Sequence, residues 1–128
     1  MKGSYILIIQ VKKDMKVKIG KLGILSFKKG YYAYVGSAMN GLEGRIRHHL
    51  RHNKKMHWHI DYFLSKAEIK EIWYSEEDKE CEIAGELSFP FIQNFGCSDC
   101  KCKSHLFYAP YKNLLKAIKK MGMRKYEI

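Results

Sequence analysis

A chain of 128 residues with 46% hydrophobic content is sized for one domain with its own core, and no apolar run reaches the roughly 18 residues of a membrane helix. The net charge of +11 is unevenly held: residues 1–56 carry 13 Lys/Arg against 2 Asp/Glu, and residues 57–128 carry 11 against 11. A one-sided basic field attracts polyanions, nucleic acid first among them, with solubility alone or attraction to a membrane surface as the plainer alternatives.

The N-terminus has one lysine before strand-like residues and no small-residue cleavage site, so it carries no signal-peptide pattern and the expected location is the cytoplasm. Tyr5 to Val11 reads as a central strand. Asp14–Gly20 and Gly23–Phe27 read as a hairpin, with Val17 and Ile19 alternating with lysines and Gly20 to Gly23 turning the chain. Lys12, Lys13, Lys28 and Lys29 cluster around it with Lys16, Lys18 and Lys21. They suit a nucleic-acid backbone, and equally they protect exposed strand edges.

Tyr31–Val35 is aromatic and β-branched, the composition of a strand. Gly41–His52 reads as a helix that Asn40 can cap, with Glu43 answering as in a capping box. Leu42, Ile46 and Leu50 form its buried stripe, and Arg45, His49 and His52 share a neighbouring face. Arg47, Arg51, Lys54 and Lys55 add to the charge on and after this helix. A planar guanidinium grips two phosphate oxygens, and Tyr34 and His49 can donate to, or take a proton from, an oxygen nearby; a solvated basic face is the plainer reading.

His57–Leu64 reads as a second helix, on which His57 and His59 diverge too far to share a metal, and His59 is expected to point towards the phosphate site. Glu68–Tyr74 reads as a strand and Glu76–Leu87 as a third helix with an acidic start, with Ile83 and Leu87 at i, i+4. Phe89–Ser104 reads as a loop, His105–Ala109 as a strand, and Pro110 opens a closing amphipathic helix through Leu114, Leu115, Ile118 and Met121. Cys97, Cys100, Cys102 and His105 follow the pattern Cys-x-x-Cys-x-Cys-x-x-His. Cys81 with Cys100, Cys102 and His105 would make a four-ligand zinc site; buried thiols are the alternative.

These residues together resemble the GIY-YIG nuclease superfamily. Gly3-Ser4-Tyr5 stands where its first signature falls, and Tyr34-Val35-Gly36, Leu42-x-x-Arg45 and His49 match its second. Tyr34 follows Tyr5 by 29 positions, more than the usual gap, which implies an inserted N-terminal hairpin. With His57 to Tyr62 and Ser98 to Phe107, the chain is similar to a branch whose members stand alone or are fused to endonuclease III-type DNA glycosylases.

The resemblance implies a single α/β (α+β) domain over residues 1–128, with a small, mainly antiparallel sheet flanked by helices. It also implies a metal-dependent endonuclease acting on DNA in repair or processing, with a repair glycosylase as a possible partner. Tyr5, Tyr34, Arg45 and His49 would be catalytic. A glutamate on a late helix would hold the magnesium or manganese ion, with Glu82 the nearest counterpart and Glu86 the fallback. Tyr5 would serve as general base and Arg45 would stabilise charge on the phosphorane. The altered first signature and the loosely matched glutamate leave room for a non-catalytic nucleic-acid-binding module of the same fold, and the cysteine loop with the fused relatives suggests a zinc-stabilised accessory domain of a repair enzyme.

Overall fold

A computed structural model describes residues 1–97 and 102–128. Strand β1 (Gly3–Val11) leads into a hairpin of β2 (Met15–Lys18) and β3 (Ile24–Phe27), joined through a short 3-10 turn at Gly20–Leu22. Strand β4 (Gly30–Ala38) follows, then helices α1 (Leu42–Leu50) and α2 (His59–Leu64), strand β5 (Glu68–Ser75) and helix α3 (Glu80–Glu86). Strand β6 (Leu106–Tyr108), helix α4 (Tyr111–Lys120) and strand β7 (Arg124–Tyr126) complete the described elements.

Five strands form one antiparallel sheet in the order β6-β4-β1-β5-β7, with β1 in the middle. Alternation along β1 explains why its sequence is apolar almost throughout. Tyr5, Leu7, Ile9 and Val11 point to one face and meet Leu42 and Ile46 of α1, Ile60 and Phe63 of α2, and Val17 and Phe27 of the hairpin. Ile6 and Ile8 point to the other and meet Ile83 and Ala84 of α3 and Leu114 and Ile118 of α4. The expected small antiparallel sheet with flanking helices is therefore present, and a hairpin lies between the strands of Tyr5 and Tyr34.

Several local expectations differ. Asn40 does not cap α1: Gly41 occupies the cap with φ 139°, a conformation suited to glycine, and makes no side-chain cap bond. Glu43 instead pairs with the N-terminal ammonium at 3.3 Å. Helix α3 begins four residues later than its acidic composition suggests, because Ser4 Oγ takes the Lys79 amide and donates to the Glu77 carbonyl, fixing that stretch to β1. Strand β7 has no apolar pattern to announce it; Arg124–Tyr126 becomes a strand only by pairing with Ile72–Tyr74 at the edge of β5.

Candidate active site

Tyr5 and Tyr34 lie on neighbouring strands and on the same sheet face, with ring centroids 6.5 Å apart. Tyr5 is directly opposite Gly36 in the β1–β4 register, and its ring crosses the space a Cβ would need there. Glycine at the end of Tyr34-Val35-Gly36 is therefore a steric requirement of Tyr5. Helix α1 packs over this pair through Leu42 and Ile46, and the same periodicity carries His49 down onto the tyrosines. Tyr5 Oη lies 2.7 Å from His49 Nε2, and the His49 ring meets the Tyr34 ring nearly edge-on at 6.2 Å.

Burial dominates the protonation of this cluster. It raises both tyrosine pKa values, more than the Arg45 charge lowers them. Burial, and then the Lys54 charge, pushes His49 down to about 3. The resting pair is thus a neutral phenol against a neutral imidazole. Nδ1 of His49 is buried without a hydrogen-bond partner among the described residues, an uncommon state for a native polar atom.

Arg45 stands one turn before His49. One of its terminal nitrogens donates to the Ser37 carbonyl at 2.9 Å, and its guanidinium carbon sits 4.5 Å from the centroid of the Trp58 ring. Trp58 is itself placed by Asp61, a wholly buried carboxylate whose Oδ2 accepts from the His57 and Trp58 amides at 2.9 Å each. Its Oδ1 lies 3.1 Å from His48 Nε2. The Asp61 carboxyl is held below its ordinary pKa: burial acts to raise it, and the two amides together with His48 outweigh that. Asp61 thus ties α1 to α2 and fixes the ring on which Arg45 rests. Nothing in the spacing of Trp58 and Asp61 announces this role.

The acidic member is Glu80 rather than Glu82. Glu80, Ile83, Ala84 and Leu87 fall at i, i+3, i+4 and i+7, so Glu80 lies on the buried stripe of α3. Its charge acts on Tyr5, Tyr34 and Arg45, and its carboxylate reaches within 3.7 Å of His105 Nδ1. Glu82 and Glu86 are on the exposed side, together lining a separate depression beside Lys79 and Lys120. The stripe from Ile83 and Leu87 back to Glu80 was present in the sequence and distinguishes the three glutamates.

Burial first, and then the Asp78 charge, raises the Glu80 pKa. A bound cation would relieve both, so the donor chemistry fits a magnesium-type ion, which takes one or two carboxylates and keeps several waters. Among the described residues, no group of three or more His, Cys, Asp or Glu side chains gathers as a metal site. For zinc, Cys81 and Cys102 have their sulfurs 2.9 Å apart, while Cys100 falls outside the described residues. His105 is buried next to Glu80.

The basic residues divide into two kinds. Lys13, Lys28, Lys29, Arg47, Arg51 and Lys55 are exposed, as is Lys12, which pairs with Glu68 at 3.4 Å. Lys54 departs from its expected place on a phosphate surface. Its ammonium is turned inward, 2.9 Å from the His49 carbonyl, 3.2 Å from that of His48 and 3.8 Å from Asp61, where it caps the C-terminal end of α1. His59 accepts the Gly96 amide at Nδ1 and lines a groove together with Tyr34 and Trp58.

No helix among the described residues is long and apolar enough to cross a membrane. No curated protein and no solved structure matches the chain. A family model described as a domain of unknown function, DUF123, matches residues 4–127, and the chain belongs to that family.

Proposed function

We propose that this protein is a divalent-metal-dependent endonuclease of GIY-YIG type that hydrolyses DNA phosphodiester bonds. The observation that carries this reading is the meeting of Tyr5, Tyr34, Arg45, His49 and Glu80 at one end of the sheet. Nearly all of these stand in the half of the chain that holds the excess positive charge.

Each residue has a task its surroundings suit. Tyr5 takes a proton from the attacking water as it passes its own to His49 Nε2, 2.7 Å away. The imidazolium so formed lies in the field of Asp61, which offsets part of the cost that burial and the Lys54 charge place on it. The hydroxide adds to phosphorus and the 3′ oxygen leaves. Arg45 has one donor committed to Ser37, leaving others on its fork for the charge that builds on the phosphorane. Tyr34 borders the phosphate position. Glu80 would hold a magnesium or manganese ion, which when bound supplies Lewis-acid polarisation of the phosphate.

The test is nicking of supercoiled plasmid and cleavage of branched, nicked and single-stranded DNA with magnesium or manganese. Wild type cuts at least one of these, and Arg45→Ala does not. Wild type that binds DNA yet cuts none of these under either metal would replace this reading with a non-catalytic binding module.

A further inference from the structure

Next to the tyrosine cluster lies a groove of about 690 Å³, within the size range of small-ligand sites. One wall is the tip of the β2–β3 hairpin, bearing Lys18 and Lys21; the other is the start of α2, bearing Trp58, His59 and Tyr62, and Tyr34 forms part of the lining. Five of the lining residues, His57 among them, carry rings and two carry ammonium groups, and none of the described lining residues is acidic. Trp58 is 37% exposed, a high value for an indole already covered by a guanidinium on one side. His59 accepts the Gly96 amide at Nδ1, so its remaining proton is on Nε2 and the ring offers a donor of fixed identity.

We infer that this groove receives an unpaired nucleotide of a DNA strand whose adjoining phosphate lies at Tyr5 and Arg45, so the substrate carries single-stranded character at or beside the cut. The inference rests on the nuclease reading for the position of that phosphate and adds the class of DNA. Paired bases keep their faces stacked on one another and hidden from protein rings. An unpaired base presents a face to stack on aromatic side chains and an edge to hydrogen-bond. The lysines across the groove match the backbone on either side. Arg45 belongs to both sites, because the ring it rests on is part of the groove wall. Rigid hairpin placement supports the same use: Gly20, with φ 47°, lets the tip approach until a Cβ there would be 3.3 Å from the Tyr62 ring.

The experiment measures binding in EDTA, where cleavage does not intervene. Fluorescence anisotropy compares an oligothymidylate of about 20 nucleotides with a blunt duplex of equal length, and tryptophan emission is followed in parallel. Single-stranded DNA binds roughly tenfold or more tightly than duplex and quenches tryptophan emission. Trp58→Ala lowers single-strand affinity by about tenfold while duplex affinity changes little. Lys18→Glu with Lys21→Glu, both exposed, does the same without touching a ring.

Equal affinities for the two DNAs, a Trp58→Ala loss equal on both, or poly-glutamate binding as tightly as the oligonucleotide would each overturn the inference. A single-strand preference in a protein that never cuts defeats the nuclease reading alone. Cleavage without that preference defeats this inference alone.

Discussion

Tyr5 and His49 are 44 positions apart in the chain, yet the phenol oxygen of one and Nε2 of the other are 2.7 Å apart in a buried contact. The central strand and the first helix thus meet through a polar bond, and both partners are neutral because burial penalises charge on either. Tyr5→Phe keeps the packing and removes the bond. Cleavage should fall by two orders of magnitude or more, and unfolding free energy by about 1–3 kcal/mol, because His49 Nε2 is left buried without a partner. Cleavage assays alongside urea denaturation separate the two effects; a Tyr5→Phe enzyme at wild-type rate would remove Tyr5 from the proton path.

The three glutamates of α3 should separate cleanly. Glu80→Gln is expected to lower metal-dependent cleavage by roughly a hundredfold or more while leaving DNA affinity in EDTA nearly unchanged. Glu82→Gln and Glu86→Gln, on the exposed side, should stay close to wild type. An inactive Glu82→Gln with an active Glu80→Gln would reassign the metal ligand.

Gly36 and Gly44 predict opposite outcomes for one substitution. Gly36→Ala forces a methyl into the Tyr5 ring and should cost about 1–3 kcal/mol, with loss of activity. Gly44 lies within α1 with nothing inside 4 Å of its would-be Cβ, so Gly44→Ala should stabilise by about 0.5–1 kcal/mol. Thermal unfolding of both variants gives the comparison, and matching shifts would contradict the packing around Tyr5.

Lys54 and Lys55 are adjacent but should behave differently. Lys55→Ala removes an exposed charge and should reduce the salt dependence of DNA binding by about one unit of slope. Lys54→Ala should leave that slope unaltered and lower stability, since it uncaps α1 and leaves Asp61 with one cation fewer. A Lys54→Ala protein of unchanged stability and shallower slope would place its ammonium on the DNA.

Stability should decline as the medium is acidified from neutrality. The unfolded chain protonates His49 near pH 6.5, whereas the native pKa is depressed to about 3, so between these values the unfolded state binds the extra proton. The loss approaches about 1.4 kcal/mol per pH unit for this one group. His59 and His105 are shifted in the same direction by burial and add to it, while Glu80, shifted upward, acts the other way nearer its own range. His49→Gln should make the slope shallower by one proton in urea titrations at about pH 7 and pH 5. An unchanged slope would mean that native His49 takes up its proton as readily as the unfolded chain.

The periodic parts of the molecule were readable in advance. The apolar run of β1 and the alternation of the hairpin bury what their spacing says they bury, and α1 buries Leu42 and Ile46 as its stripe predicts, but its third buried residue is His49, while Leu50 stays half-buried. What could not be read depends on distant partners. Asp61 looks like a solvated helix carboxylate until His48 and Lys54 come to it from another element. Lys54 looks like one of many surface cations until the end of α1 uses it. Glu80 is the intermediate case: its stripe was visible, but the family resemblance placed the glutamate of the late helix at Glu82.

β1 is paired along both edges and buried from Gly3 to Ile9. Amides on such a strand exchange with solvent only when the whole domain opens, whereas the exposed stretch from Arg51 to Trp58 is fixed largely through Asp61 and Lys54 and can open by itself. The half of the site built on Tyr5 is therefore as durable as the protein, and the half that holds the ring under Arg45 is only as durable as one buried carboxylate. Deuterium uptake should proceed in that order, with the Trp58 segment labelled long before the strand of Tyr5. Mild denaturant should accordingly weaken the grip on DNA while the Tyr5–His49 pair is still formed.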